Sequence, residues 1–202
     1  MNKNASDIHA PSDIPELSDI EELKSQLEAA ERDAQALVAD LTEELGGWRS
    51  NASSWSVAEC LDHLASTNRV YLGAMKQPAI HAREQGRTRR GPAAPGLLGR
   101  WFVGKMEPPV KAFRVKSPRS VEPRYALPLS DAFASFAASQ DDVRAFLSAY
   151  ADLDLAAVRF PNPFVRGIRF SLATGLHVIT AHERRHLWQA WRVRRTAEGA
   201  AS

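Results

Sequence analysis

Cys60 is the only cysteine among 202 residues, so no intramolecular disulfide can form and the fold must rest on burial. Nor does the chain contain an uninterrupted apolar run of the roughly eighteen residues that a membrane span needs. Even the C-terminal stretch is broken by His182, Glu183, Arg184, Arg185 and His186. Charge of one sign is lacking too: 26 Lys and Arg against 24 Asp and Glu leave +2, too little to point to nucleic acid, and no nucleic-acid motif occurs. The opening segment, MNKNASDIHAPSDIPELSD, has no apolar stretch of signal-peptide length, and with the lone cysteine this leads us to expect a cytoplasmic protein. No alternating pattern reads as a series of strands, and no fixed-period repeat is visible.

What is present is a globular composition, 44% hydrophobic, at a length suited to one domain. Ser18 and Glu21 form a capping-box pattern ahead of Ile20, Leu23, Leu27, Ala30, Ala34, Leu37, Leu41 and Leu45, which predicts one amphipathic helix ending at Gly46 and Gly47. Ser56 and Glu59 repeat the signal ahead of Val57, Cys60, Leu61, Leu64, Tyr71, Leu72 and Met75, predicting a second helix to about Gln77, with Pro78 helping to end it. Residues 78–129 hold eight of the twelve prolines and read as a crossover or lid, with a short helix over 96–106 packing Leu97, Leu98, Trp101 and Phe102 on the body. Ser130 caps a third expected helix, with Phe133, Phe136, Ala137, Val143, Phe146, Leu147 and Tyr150 on its apolar face. After the loop FPNPFVRG, a last helix is expected from Phe170 or Ser171 to about Thr196, with Leu172, Leu176, Ile179, Leu187, Ala190 and Val193 inward and its arginines in solvent. The expected fold is all-α: a four-helix bundle over 18–196 with a long proline-rich crossover between helices two and three, flanked by disordered segments at 1–17 and 197–202.

The histidines carry the chemistry. His182 and His186 are four apart on a helix, so they project from one face and can grip one ion. Two inward imidazoles have ring nitrogens that must be satisfied, either by ordinary hydrogen bonds or by a metal. His63, at the edge of the second helix's apolar stripe, can supply a third ligand and leave a coordination position open. HERRH also matches HExxH, in which Glu183 would be the base of a zinc peptidase. The extended form of that motif fails, because Gln189 stands where glycine is needed and Arg192 where histidine is needed. Glu183 is therefore read as a surface carboxylate paired to arginines. Glu59 is either a capping carboxylate or a base near the ion, and the Ser56 pattern favours the cap. His9, His81 and His177 are not expected ligands, and Cys60 reads as a small core residue. Between Arg83 and Arg124, eleven Lys or Arg face three Glu, a segment that either steers an anion or keeps a long loop solvated.

Two blocks, WSVAECLDHL at Trp55–Leu64 and HVITAHERRHLWQAWRV at His177–Val193, resemble the DinB-like superfamily of metal-binding four-helix proteins. The resemblance implies a three-histidine site on His63, His182 and His186 for zinc or nickel, with iron or manganese as further options. It also implies homodimers in many members and, in some, S-transferase or isomerase activity with low-molecular-weight thiols such as bacillithiol or mycothiol; others are described as hydrolases. The expected partners are thus a small-molecule substrate or thiol, with neither nucleic acid nor membrane. The expected function is a metal-dependent transferase or hydrolase, and the alternative is a non-catalytic metal-binding bundle.

Overall fold

The computed structural model describes residues 18–109 and 117–201; the expected disordered segment 1–17 lies outside them, as do Lys111, Arg114 and Lys116 of the crossover. Helix α1 (Ser18–Val38) buries Ile20, Leu23, Leu27, Ala30, Ala34 and Leu37 on the expected stripe. It stops well before Gly46. Asp40 takes a left-handed φ of 58°, and Thr42 then caps a separate short helix, α2 (Glu43–Gly47), by accepting a hydrogen bond from Leu45 N. Periodicity carried on through Leu41 and Leu45, which is why the pattern alone joined the two. The open carbonyls of Ala36, Leu37 and Ala39 are satisfied by Arg194 Nη1, at 3.3, 2.9 and 2.9 Å.

Helix α3 (Val57–Glu84) opens with the expected capping box, since Ser56 N donates to Glu59 and Glu59 N donates to Ser56 Oγ. It does not end at Gln77 but continues through Pro78 to Glu84. A proline removes its own bond to the preceding turn. Here the turns beyond it bury Ala79 and Ala82, and that packing keeps the helix going. Helix α4 (Leu97–Met106) forms inside the crossover as expected, but on a different face. Its contact line is Gly99, which lies against Thr174, with Phe102, Val103 and Met106 on the core. Leu97, Leu98 and Trp101 are consequently turned outward, 80%, 56% and 57% exposed.

Helix α5 (Leu129–Tyr150) starts after Pro128, and its first amides are not capped by Ser130. Leu129 N and Ser130 N donate instead to the Glu43 carboxylate of α2, at 2.5 and 3.0 Å, which also holds that carboxyl below its ordinary pKa. A small antiparallel hairpin, β1 (Arg159–Pro161) and β2 (Arg169–Ser171), pairs Phe160 with Phe170; three-residue strands are too short to show a period in the sequence. Helix α6 (Leu172–Ala201) follows directly and runs through the segment expected to be a disordered tail, burying Ala197 and pairing Arg194 with Glu198.

Helices α1 and α3 each pack against both α5 and α6, so α3 and α6 are neighbours along their length. The apolar core falls into two clusters. One holds Leu27, Tyr71, Val143 and Ile179, and the other Ala30, Leu64, Phe136 and Leu187. On each long helix the change from one cluster to the other falls at the same level. There the interior is polar: Asn68, Ser139, Gln140 and Glu183 are all buried.

Candidate metal centre

His63 on α3 meets His182 and His186 on α6, and one ligand atom from each lies within 4.8 Å of the others. The ring centroids are 5.0 Å apart for His63 and His182, 4.7 Å for His63 and His186, and 4.5 Å for His182 and His186. The sequence therefore named three residues that the fold brings together. His63 and His186 are buried, while His182 keeps some exposure. Trp55, just before the α3 cap, closes one side, with its ring 4.7 Å from that of His63 and 5.6 Å from that of His186.

Hydrogen bonds fix which nitrogens are available. His63 Nδ1 lies 2.7 Å from Val121 O, so it must carry the proton, and His63 Nε2 presents a lone pair. His186 Nδ1 lies 3.1 Å from Gln189 Oε1. With Oε1 assigned as the acceptor, Nδ1 is again the donor and Nε2 is bare. His182 Nε2 sits 3.3 Å from His63 Nε2, and its Nδ1 is buried without a hydrogen-bond partner. Three imidazoles whose ring nitrogens converge suit an imidazole-binding cation. The second nitrogens of His63 and His186 have the backbone and side-chain acceptors that metal-bound histidines use. These residues fit a divalent transition ion.

Burial holds all three imidazoles below their ordinary pKa, His182 and His186 by a wide margin, with the mutual proximity of the rings and Arg185 adding to it. The Val121 bond and the neighbouring Asp62 oppose the shift at His63. The trio is thus neutral near pH 7, as metal ligands must be.

Several side chains are placed differently from expectation. Glu183 is not a surface carboxylate: it is 0% exposed and accepts from Asn68 Nδ2 at 2.8 Å and Gln140 Nε2 at 3.3 Å. Burial pushes its pKa up to about 7 against the lowering effect of those amides. It belongs to no metal-binding cluster among the described residues, so the HExxH reading loses its base. Its burial was visible in the sequence, because Ile179, Glu183 and Leu187 fall at intervals of four on the inward stripe. The arginines of α6 are not simply solvated: Arg184 pairs with Glu107, at 2.5 Å, and bonds Gln26. Arg185 Nη1 reaches Lys105 O. Glu59 is a cap, also paired with Arg49. Cys60 is buried, its thiol pushed up to about 12 by burial. His177 turns to the crossover and bonds Ala93 O, and His81 is exposed beside Glu84. His9 lies outside the described residues. Sequence reasoning missed Trp55 as a wall and Val121 O as a partner; the second is a backbone atom and leaves no residue-type signal.

A family model described as DinB superfamily matches residues 26–190, a range that includes all three histidines. No curated protein and no solved structure matches the chain.

Proposed function

The chain belongs to the DinB superfamily, and on that footing we propose a metal-dependent enzyme that holds zinc or nickel on His63, His182 and His186 and activates a thiol or water there. The observation that carries this reading is the convergence of three neutral imidazoles, two of them with the far nitrogen anchored to an acceptor. A bound ion supplies a Lewis acid that makes a thiolate or hydroxide available near neutral pH.

The chain's own residues favour thiol transfer over hydrolysis. Hydrolysis profits from a general base beside the water, and among the described residues no carboxylate joins the histidine cluster. Glu59 is committed to the α3 cap and Glu183 to the buried amides. A thiol, more acidic than water, needs less help. Trp55 and the burial of His63 and His186 keep bulk water from one side of the centre. The basic crossover offers less free charge than its composition suggests, because Arg83, Arg89 and Arg124 pair with Asp152, Asp19 and Asp62. Arg87, Arg90, Arg100, Lys105 and Arg119 are the described cations of that segment that no carboxylate pairs. They are the groups to attract an anionic thiol, and charge reversal at Arg100 and Arg119 should weaken thiol affinity.

The same lack of a base supports a second reading, a metal-binding bundle that turns nothing over. Metal content of the untagged protein, measured by mass spectrometry beside a His182→Ala, His186→Ala double variant, tests the common premise. Near-stoichiometric metal in the parent alone supports it, and no metal in either after zinc or nickel is supplied overturns it. Metal-dependent conjugation of monochlorobimane to a low-molecular-weight thiol then supports the enzyme; metal without turnover leaves the binder.

A further inference from the structure

We propose that Arg124 is a positioning residue for the metal centre: it clamps the end of the crossover onto Asp62, so that the Val121 carbonyl holds His63 with its Nδ1 protonated and its Nε2 bare. This rests on the metal reading above and deepens it.

Asp62 and His63 are consecutive on α3, and both reach the same short piece of chain. His63 Nδ1 donates to Val121 O at 2.7 Å. Asp62 accepts three bonds from one residue: Arg124 N at 2.8 Å, Nε at 3.2 Å and Nη2 at 2.6 Å. The two grips are thus three residues apart on the crossover and adjacent on the helix. Further along, Leu127 packs on the core and the Arg49 guanidinium lies 4.9 Å from the Tyr125 ring centroid. From Pro118 to Pro128 only Val121 is buried, in the single 3-10 turn Arg119–Val121.

The clamp also explains an otherwise awkward residue. Asp62 is 1% exposed and is no member of the histidine cluster, and a buried carboxylate is costly unless its lone pairs are matched. Arg124 matches them with a planar fork plus its own amide, a geometry that lysine cannot copy. Partners that orient a ligand's second nitrogen alter metal affinity by roughly 10- to 100-fold when lost. Arg124 stands one step further out, acting on that partner.

The experiment combines two readouts on the full chain. Zinc affinity is measured by competition with a chromophoric chelator, and the His63 tautomer in the metal-free protein is read from long-range proton–nitrogen NMR couplings. Arg124→Gln should weaken zinc binding by roughly three- to tenfold and let His63 sample both tautomers, with Arg124→Lys falling between it and the parent. Unchanged zinc affinity and tautomer in Arg124→Gln would overturn the proposal, even if thermal stability drops, since that pattern describes a structural staple only. Should Arg124→Gln fail to fold, Arg124→Lys and Asp62→Asn carry the same comparison. If the parent binds no zinc, the metal reading fails on its own, while the tautomer shift still decides whether the clamp acts on His63.

Discussion

Glu183 and His182 are consecutive on α6, both face the bundle interior, and they meet burial in opposite ways. Around Glu183, amide donors from α3 and α5 point at the carboxylate, and Gln140 Nε2 also approaches Leu27 O of α1 at 3.4 Å, so all four long helices contribute to one polar layer. Around His182, Nε2 meets only His63 Nε2, at 3.3 Å, and Nδ1 has no hydrogen-bond partner. The first centre is a carboxylate met by amide donors, and the second is a cluster of converging imidazole nitrogens. Polar burial in this bundle is therefore of two kinds, one that links the helices through amides and a carboxylate and one that gathers imidazole nitrogens.

The largest test of that contrast is truncation. Glu183→Ala should lose about 3–5 kcal/mol in urea unfolding, because the Asn68 and Gln140 amides are left buried without their acceptor. His186→Ala, measured with chelator present, should lose about 1 kcal/mol, and equal losses at the two sites would dissolve the distinction. Next comes ligand linkage. Zinc at a thousandfold excess over Kd should stabilise the parent and Glu183→Gln alike by about 4 kcal/mol, and His186→Ala hardly at all, by thermal denaturation.

The pH response sharpens the comparison further, because the two centres have opposite signs. Glu183 titrates near 7 in the fold against 4.5 as a free side chain, so the folded state holds a proton that the unfolded state has lost. Its contribution is complete below about 4.5 and declines as pH rises to about 7, by about 3 kcal/mol in all. The histidines, held below 6.5, do the reverse: the unfolded chain takes up protons first, so stability falls as pH drops below 6.5. Differences between the metal-free parent and Glu183→Gln, or His186→Asn, across pH 4.5–7.5 isolate the two slopes, and parallel slopes would refute the assignment. The smallest effect is expected at Gln189→Ala, which removes the acceptor of His186 Nδ1. Zinc affinity should fall about tenfold, with metal-free stability unchanged.

The helical class and the histidine trio were legible because both rest on side-chain spacing: a separation of four from His182 to His186, and a stripe edge for His63. What misled was the assumption that a charged residue marks a solvated face. Glu183 lies on the line from Ile179 to Leu187, as Gln140 lies between Phe136 and Val143, and an inward stripe interrupted by polar residues on more than one helix is itself a signal of a polar layer. Helix limits failed for tertiary reasons that spacing does not encode. Asp40 breaks α1 although the apolar period continues, and packing beyond Pro78 carries α3 onward. Caps supplied from afar were equally hidden: Glu43 serves α5 from 86 residues away, and Arg194 serves α1 from 157.

That last arrangement bears on how the protein is made. The carbonyls that close α1 wait for an arginine 155–158 residues later, and His63 waits for His182, 119 residues later. At a synthesis rate of roughly 5–20 residues per second, the first helix leaves the ribosome several seconds before its terminus can be completed. A chain stopped ahead of Leu172 would contain three of the long helices and one of the three imidazoles. The three imidazoles can therefore come together only in chains whose final helix has arrived.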